Sequence, residues 1–204
     1  FIIFVKDKIT DIFEQYKIAG MTKNGNDPLN ELGFSLEHES YFSSLENVIY
    51  FLCGGVFDAV IKLKEYDRDF LKRYILECLQ AESNLLKNLG LKLLRNNAIF
   101  SDNEKCELLL KYSSVYALYE KEQVFLLVIS IFNNLSPKLK EKLLNEIGIS
   151  DVYIKADVPE KNAYKIFNWC VWFKKNDIKD NRIDYVNNII LKMSFITSKV
   201  KTIR

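Results

Sequence analysis

The sequence predicts an all-α protein, and three observations carry that expectation. Apolar residues recur at i, i+3, i+4 and i+7 through most of the 204 residues, and no convincing run of strict alternation marks a strand. Only 7 glycines and 3 prolines interrupt the pattern. Most of the punctuation falls where helices begin and end: serine or aspartate before apolar runs, proline at a start, glycine at a stop.

The elements follow in order. Val5, Ile9, Ile12, Phe13 and Tyr16 share one helical face. From Ala19 to Glu39 the pattern breaks at Gly20, Asn24-Gly25-Asn26-Asp27-Pro28 and Gly33, a polar turn cluster that makes the longest loop. Ser43 and Glu46 have capping-box spacing ahead of Leu45, Val48, Ile49, Leu52, Val56 and Val60. Gly54-Gly55 inside that helix predicts a close approach or a kink. Asp67 caps a helix with Phe70, Leu71, Tyr74, Ile75, Cys78 and Leu79 inward, and Ser83 opens another with Leu85, Leu86, Leu89 and Leu93. Ser101 and Glu104 form a second capping box.

Residues 121–135 include Val124-Phe125-Leu126-Leu127-Val128-Ile129, apolar nearly all round, so this helix is expected to be central. Ser136-Pro137 reads as a helix start, because proline's fixed φ and missing N–H suit the first helical position. Leu139, Leu143, Leu144 and Ile147 follow, and Gly148 stops them. Pro159 opens a helix with Ala163, Ile166, Phe167, Cys170 and Val171; the last carries Ile183, Val186, Ile190, Met193 and Val200. The total is about nine helices on this periodicity.

A shift of 53 residues lays Ser83 on Ser136, and Leu71, Tyr74, Ile75, Cys78 and Leu79 on Val124, Leu127, Val128, Ile131 and Phe132. The expected architecture is therefore stacked antiparallel helical hairpins, an α-solenoid in which each hairpin buries its neighbour's face. The division is residues 1–40, a helix and polar loop, and 41–204, the repeat-like domain; one continuous domain over 1–204 is the alternative. The start at Phe1 and the unpunctuated end suggest a piece of a longer protein.

Composition narrows the function classes. With 49% hydrophobic and 13% aromatic residues the chain builds a core, which excludes disorder. Basic and acidic residues number 29 and 27 and are interleaved, as on solvated helix faces, so nucleic acid is not the expected partner. Cys53, Cys78, Cys106 and Cys170 lie scattered in apolar stretches, which reads as buried thiols in a reducing, cytoplasmic setting. Val48–Ile61 is too short to span a bilayer and contains Asp58.

Motifs for chemistry are missing. The sole histidine, His38, sits between Glu37 and Glu39 without zinc-type spacing, and no phosphate-binding glycine loop occurs. Asn24-Gly25-Asn26-Asp27 lacks the alternating ligands of a calcium loop. No catalytic residue, metal or cofactor is assigned. The densest aromatic cluster, Asn168-Trp169-Cys170-Val171-Trp172-Phe173, offers Trp172 as a partner-binding anchor, with Trp169 and Tyr164 as companions.

Leu89-Gly90-Leu91-Lys92-Leu93-Leu94, Leu135-Ser136-Pro137, Lys142 to Gly148 and Tyr164-Lys165-Ile166-Phe167-Asn168-Trp169 occur in an order that resembles the HEAT-like α-helical region of large bacterial anti-phage defence proteins. Those proteins couple the region to a STAND-type NTPase or a sirtuin-like effector. The resemblance covers about half the chain, Leu89 to Ser194, and includes no phosphate-binding loop. It implies a non-enzymatic scaffold or sensor segment that binds a protein. A compact all-α regulatory or nucleic-acid-associated domain stays open, with Lys192, Lys199, Lys201 and Arg204 as its basic face.

Overall fold

Helix punctuation in the sequence matches much of the observed helix structure. The computed structural model describes residues 1–22, 44–63, 67–116, 120–155 and 160–192. Among these residues the fold is all-α, with ten α-helices and no strand. They are α1 (Ile2–Ile18), α2 (Ser44–Leu63), α3 (Arg68–Gln80), α4 (Asn84–Arg95), α5 (Asp102–Tyr112), α6 (Lys121–Ile131), α7 (Pro137–Ile147), α8 (Ile149–Lys155), α9 (Glu160–Lys175) and α10 (Asn181–Leu191).

Side chains cap several starts. Asp67 accepts from the Phe70 amide at 2.9 Å, and Asp180 accepts from the Arg182 amide at 2.9 Å. Ser101 and Glu104 form the expected reciprocal box: the Glu104 amide donates to Ser101 Oγ at 3.3 Å, and the Ser101 amide donates to Glu104 Oε2 at 2.7 Å. These bonds satisfy donors that a helix start leaves without an intrahelical partner. The expectation for Ser136 needs correction. Ser136 stands at the cap position of α7, but its side chain makes no cap hydrogen bond; its carbonyl accepts from Leu139 and Lys140 at 3.0 Å. Pro137 starts that helix through its preset φ. Ser83 likewise makes no side-chain cap. The Ser43–Glu46 box lies outside the described residues.

The chain packs as two compact units, residues 1–127 and 128–204. In the first, α3 and α4 form the tightest pair, joined by the three-residue link Ala81-Glu82-Ser83. α2 packs on both, α1 on α2, and α5 on α4. Helix α4 is covered on nearly every side: Leu85, Leu86, Leu89, Leu91, Leu93 and Leu94 are all buried. Full burial of one such side chain is worth about 1.5–3 kcal/mol, so α4 is a principal support of this unit. Lys92 on α4 sets its ammonium 5.0 Å from the centre of the Phe57 ring on α2.

Inward assignments shift at several positions of this unit. Ile12 is exposed while Ile2, Val5, Ile9 and Phe13 form the buried stripe of α1. Leu52 is exposed, and Cys53 takes the inward position with Val56 and Val60. Phe70 is half-exposed and stacks on Tyr74 at 6.1 Å between centroids. Gly55 meets the Phe1 ring, where a Cβ would lie 3.4 Å away, whereas Gly54 faces open space. The expected boundary near residue 40 lies outside the described residues; α1 before it packs on α2 beyond it.

In the second unit α7 packs on α8, α8 on α10, and α9 on α10. Gly148 ends α7 in the left-handed region at φ 83°, a conformation glycine adopts without Cβ strain. α8 follows at once, and it is the helix not anticipated from the sequence. Seven residues are too few to display a period. The core centres on Phe132, Trp169 and Phe173, with ring centroids 5.0 Å apart for Phe132–Phe173 and 5.4 Å for Trp169–Phe173. Arg182 bridges Glu141 on α7 and Asp180 at the head of α10, pairing with Asp180 Oδ2 at 2.7 Å.

All ten apolar residues aligned at 53 residues are buried. Their turns differ in build. A 3-10 turn, Phe132–Asn134, follows α6, and the α3–α4 link has no such turn.

Candidate interaction surface

The three aromatic side chains singled out in the sequence divide by burial. All ride on α9, whose inward positions are Ala163, Ile166, Trp169, Cys170 and Phe173. Trp169 is only 1% exposed and packs on Phe173, so it has no surface to offer a partner. Its anchor assignment is therefore corrected to a core role. Trp172 is half-buried. Tyr164 is exposed. The helix does not bring the three to one surface. Residues 164 and 172 are eight apart, and the tryptophan between them lies on the buried face.

A different aromatic group is presented to solvent. Tyr153 on α8 and Tyr185 on α10 are each 43% exposed and meet edge to face, with centroids 5.2 Å apart and planes at 76°. Ile154 beside Tyr153 is 76% exposed. The close α8–α10 pair holds both rings. Charges of both signs flank them in sequence: Asp151 pairs with Lys155 at 3.8 Å, and Asp184 pairs with Lys174 at 3.3 Å. The sequence signal for Tyr185 was its displacement from the Ile183, Val186, Ile190 stripe. Tyr153 carried no such signal, because α8 itself was not anticipated.

The first unit carries an apolar groove of about 490 Å³ lined by Phe1, Ile3, Ala59, Leu63 and Phe70, with Lys62. All four cysteines are buried and none is in a disulfide. Burial pushes the thiols of Cys53, Cys78 and Cys170 up to about 12, far from nucleophilic ionisation at neutral pH. Tyr74 lies beside Cys78, and burial raises its hydroxyl's pKa as well. Among the described residues no group of three or more histidine, cysteine, aspartate or glutamate side chains is arranged to hold a metal, and no helix is long and apolar enough to cross a membrane. His38 and Asn24 to Asp27 lie outside the described residues, as do Lys199, Lys201 and Arg204. Comparison with protein-family models, with curated proteins and with solved structures finds no match.

Proposed function

We propose that this chain is a non-enzymatic α-helical scaffold or sensor segment that recognises a protein partner, in a HEAT-like setting of the kind found in bacterial anti-phage defence proteins. The observation that carries the reading is the exposed Tyr153–Tyr185 pair with Ile154. Tyrosine gives a large, two-sided contact at low entropic cost, and rings already held by a neighbour lose less freedom on binding. The flanking Asp151–Lys155 and Lys174–Asp184 pairs make a mixed-sign rim. Such a rim suits a protein surface better than a phosphate backbone, which favours a single basic field. Tyr164 is a further contact, and Trp172 a lesser one.

The non-enzymatic part of the proposal is supported by thiols whose burial suppresses the thiolate. Buried cysteines outside any disulfide are also in keeping with a reducing compartment such as the cytoplasm. Close packing mainly between helices adjacent in the chain, within each unit, is in keeping with stacked hairpins.

The test is binding of the full chain to a panel of phage-encoded proteins by interferometry, with Tyr153→Ala and Tyr185→Ala alongside. The expected result is a protein ligand whose affinity falls at least ~10-fold in either variant, as for an interface hot spot. Absence of any ligand, or a ligand indifferent to both changes, overturns the reading. Binding to nucleic acid that weakens steeply with salt would favour the regulatory nucleic-acid alternative. Turnover of ATP or nucleic acid, abolished by a point change in the chain, would overturn the non-enzymatic assignment.

A further inference from the structure

We propose that α1 is a salt-sensitive strap, latched by ion pairs to α3 and to the link between α3 and α4, and free to lift from its unit while α3 and α4 stay folded. The proposal is independent of any partner. Helix α1 packs closely on α2 and buries Ile2, Val5, Ile9 and Phe13. Towards α3, its link to α4 and the start of α4 the seam is hollow. One cavity of about 270 Å³ opens between Lys6, Arg73 and Glu77, and a second of about 270 Å³ between Thr10, Phe13, Ala81 and Leu86. Gaps of that size forfeit the dispersion contacts that would otherwise hold two helices together.

Charged side chains span this hollow seam. Lys6 pairs with Glu77, and Lys17 Nζ stands 2.6 Å from Glu82 Oε2. The two lysines are eleven residues apart, about 16 Å along a helix. The latch therefore acts near both ends of α1. Glu77 and Glu82 are 53% and 66% exposed, so dissolved salt reaches both pairs. Screening shortens from about 10 Å at 0.1 M to about 3 Å at 1 M ionic strength. Elements held by few buried contacts open locally at lower free energy than the whole fold. Lifting α1 would uncover Phe13 and Leu86, which face the second cavity, together with Val5 and Ile9.

Hydrogen exchange on the full chain at low and high sodium chloride tests this, with Lys6→Glu, Glu77→Lys and the double exchange. In high salt α1 amides are expected to exchange about three- to tenfold faster while α4 amides are unchanged, the size two exposed ion pairs allow. Each single charge reversal is expected to speed α1 exchange in the same way at low salt. The double exchange restores the opposite charges and is expected to return α1 to within about twofold of the native rate, the coupling a double-mutant cycle isolates. Exchange of α1 that ignores salt, that accelerates only together with α4, or that stays fast in the double variant overturns the strap. If a single variant does not fold, the salt comparison on the native chain decides.

Discussion

Gly90 of α4 stands so close to Cys78 of α3 that a Cβ on it would lie 3.0 Å from the Cys78 Cβ and 3.0 Å from the Leu79 amide nitrogen. Backbone cannot yield as a flexible side chain can. The missing side chain is therefore what lets the leucine-rich α4 pack tightly on α3. Gly90→Ala gains about 1 kcal/mol of helix propensity, while overpacking a filled core costs about 1–3 kcal/mol. The expected outcome in urea melts is a net loss of stability. Gly54, exposed and with nothing within 4 Å, gives the contrast: Gly54→Ala is expected to stabilise by up to about 1 kcal/mol. If the two variants shift stability in the same direction, the Gly90 contact is not the constraint described.

Phe125 is buried in α6 with Val124, Leu127 and Val128, while Ser130 is exposed. Lys121 sets its ammonium 5.7 Å from the Phe125 ring centre. Phe125→Ala is expected to cost about 3–5 kcal/mol, from lost burial plus the cavity left behind. A loss under about 1 kcal/mol would mean that the site collapses without penalty.

Ser101→Ala removes the acceptor for the Glu104 amide and half of the reciprocal box. The expected loss is about 1 kcal/mol, read from chemical denaturation. The Ser101 backbone amide and hydroxyl, in that order, hold the Glu104 carboxyl below the usual carboxylate range. Titration of Glu104 by NMR should move back towards the ordinary glutamate value once the Ser101 hydroxyl is gone, but not fully, because the backbone donor remains.

The Arg182 side chain beside Asp180 holds that carboxyl below the ordinary aspartate range, assisted by the Arg182 amide. A carboxylate with a depressed folded pKa contributes stability above its unfolded value, and this is lost as pH falls through the folded value. Asp180→Asn keeps an N-cap acceptor but removes the charge. The native chain is expected to melt above the variant at neutral pH, and the gap to close as the pH falls below the ordinary aspartate range. A gap constant down through acid pH would show that the charge contributes nothing.

Periodicity and punctuation determined much of the local structure. The all-α class, the caps at Asp67 and Ser101, the stop at Gly148 and the buried stripes of α3 and α6 were all legible, because backbone hydrogen bonding and the 3.6-residue repeat act within a few residues of chain. Tertiary packing decided the rest. It made Gly90 a contact point, turned Leu52 outward and Cys53 inward, and sent Trp169 to the core while Tyr153 and Tyr185 met at the surface. An aromatic side chain in an amphipathic helix has the same sequence signature whether its ring fills a core or waits for a partner. What separates them is the neighbour against it, and that neighbour comes from a distant part of the chain.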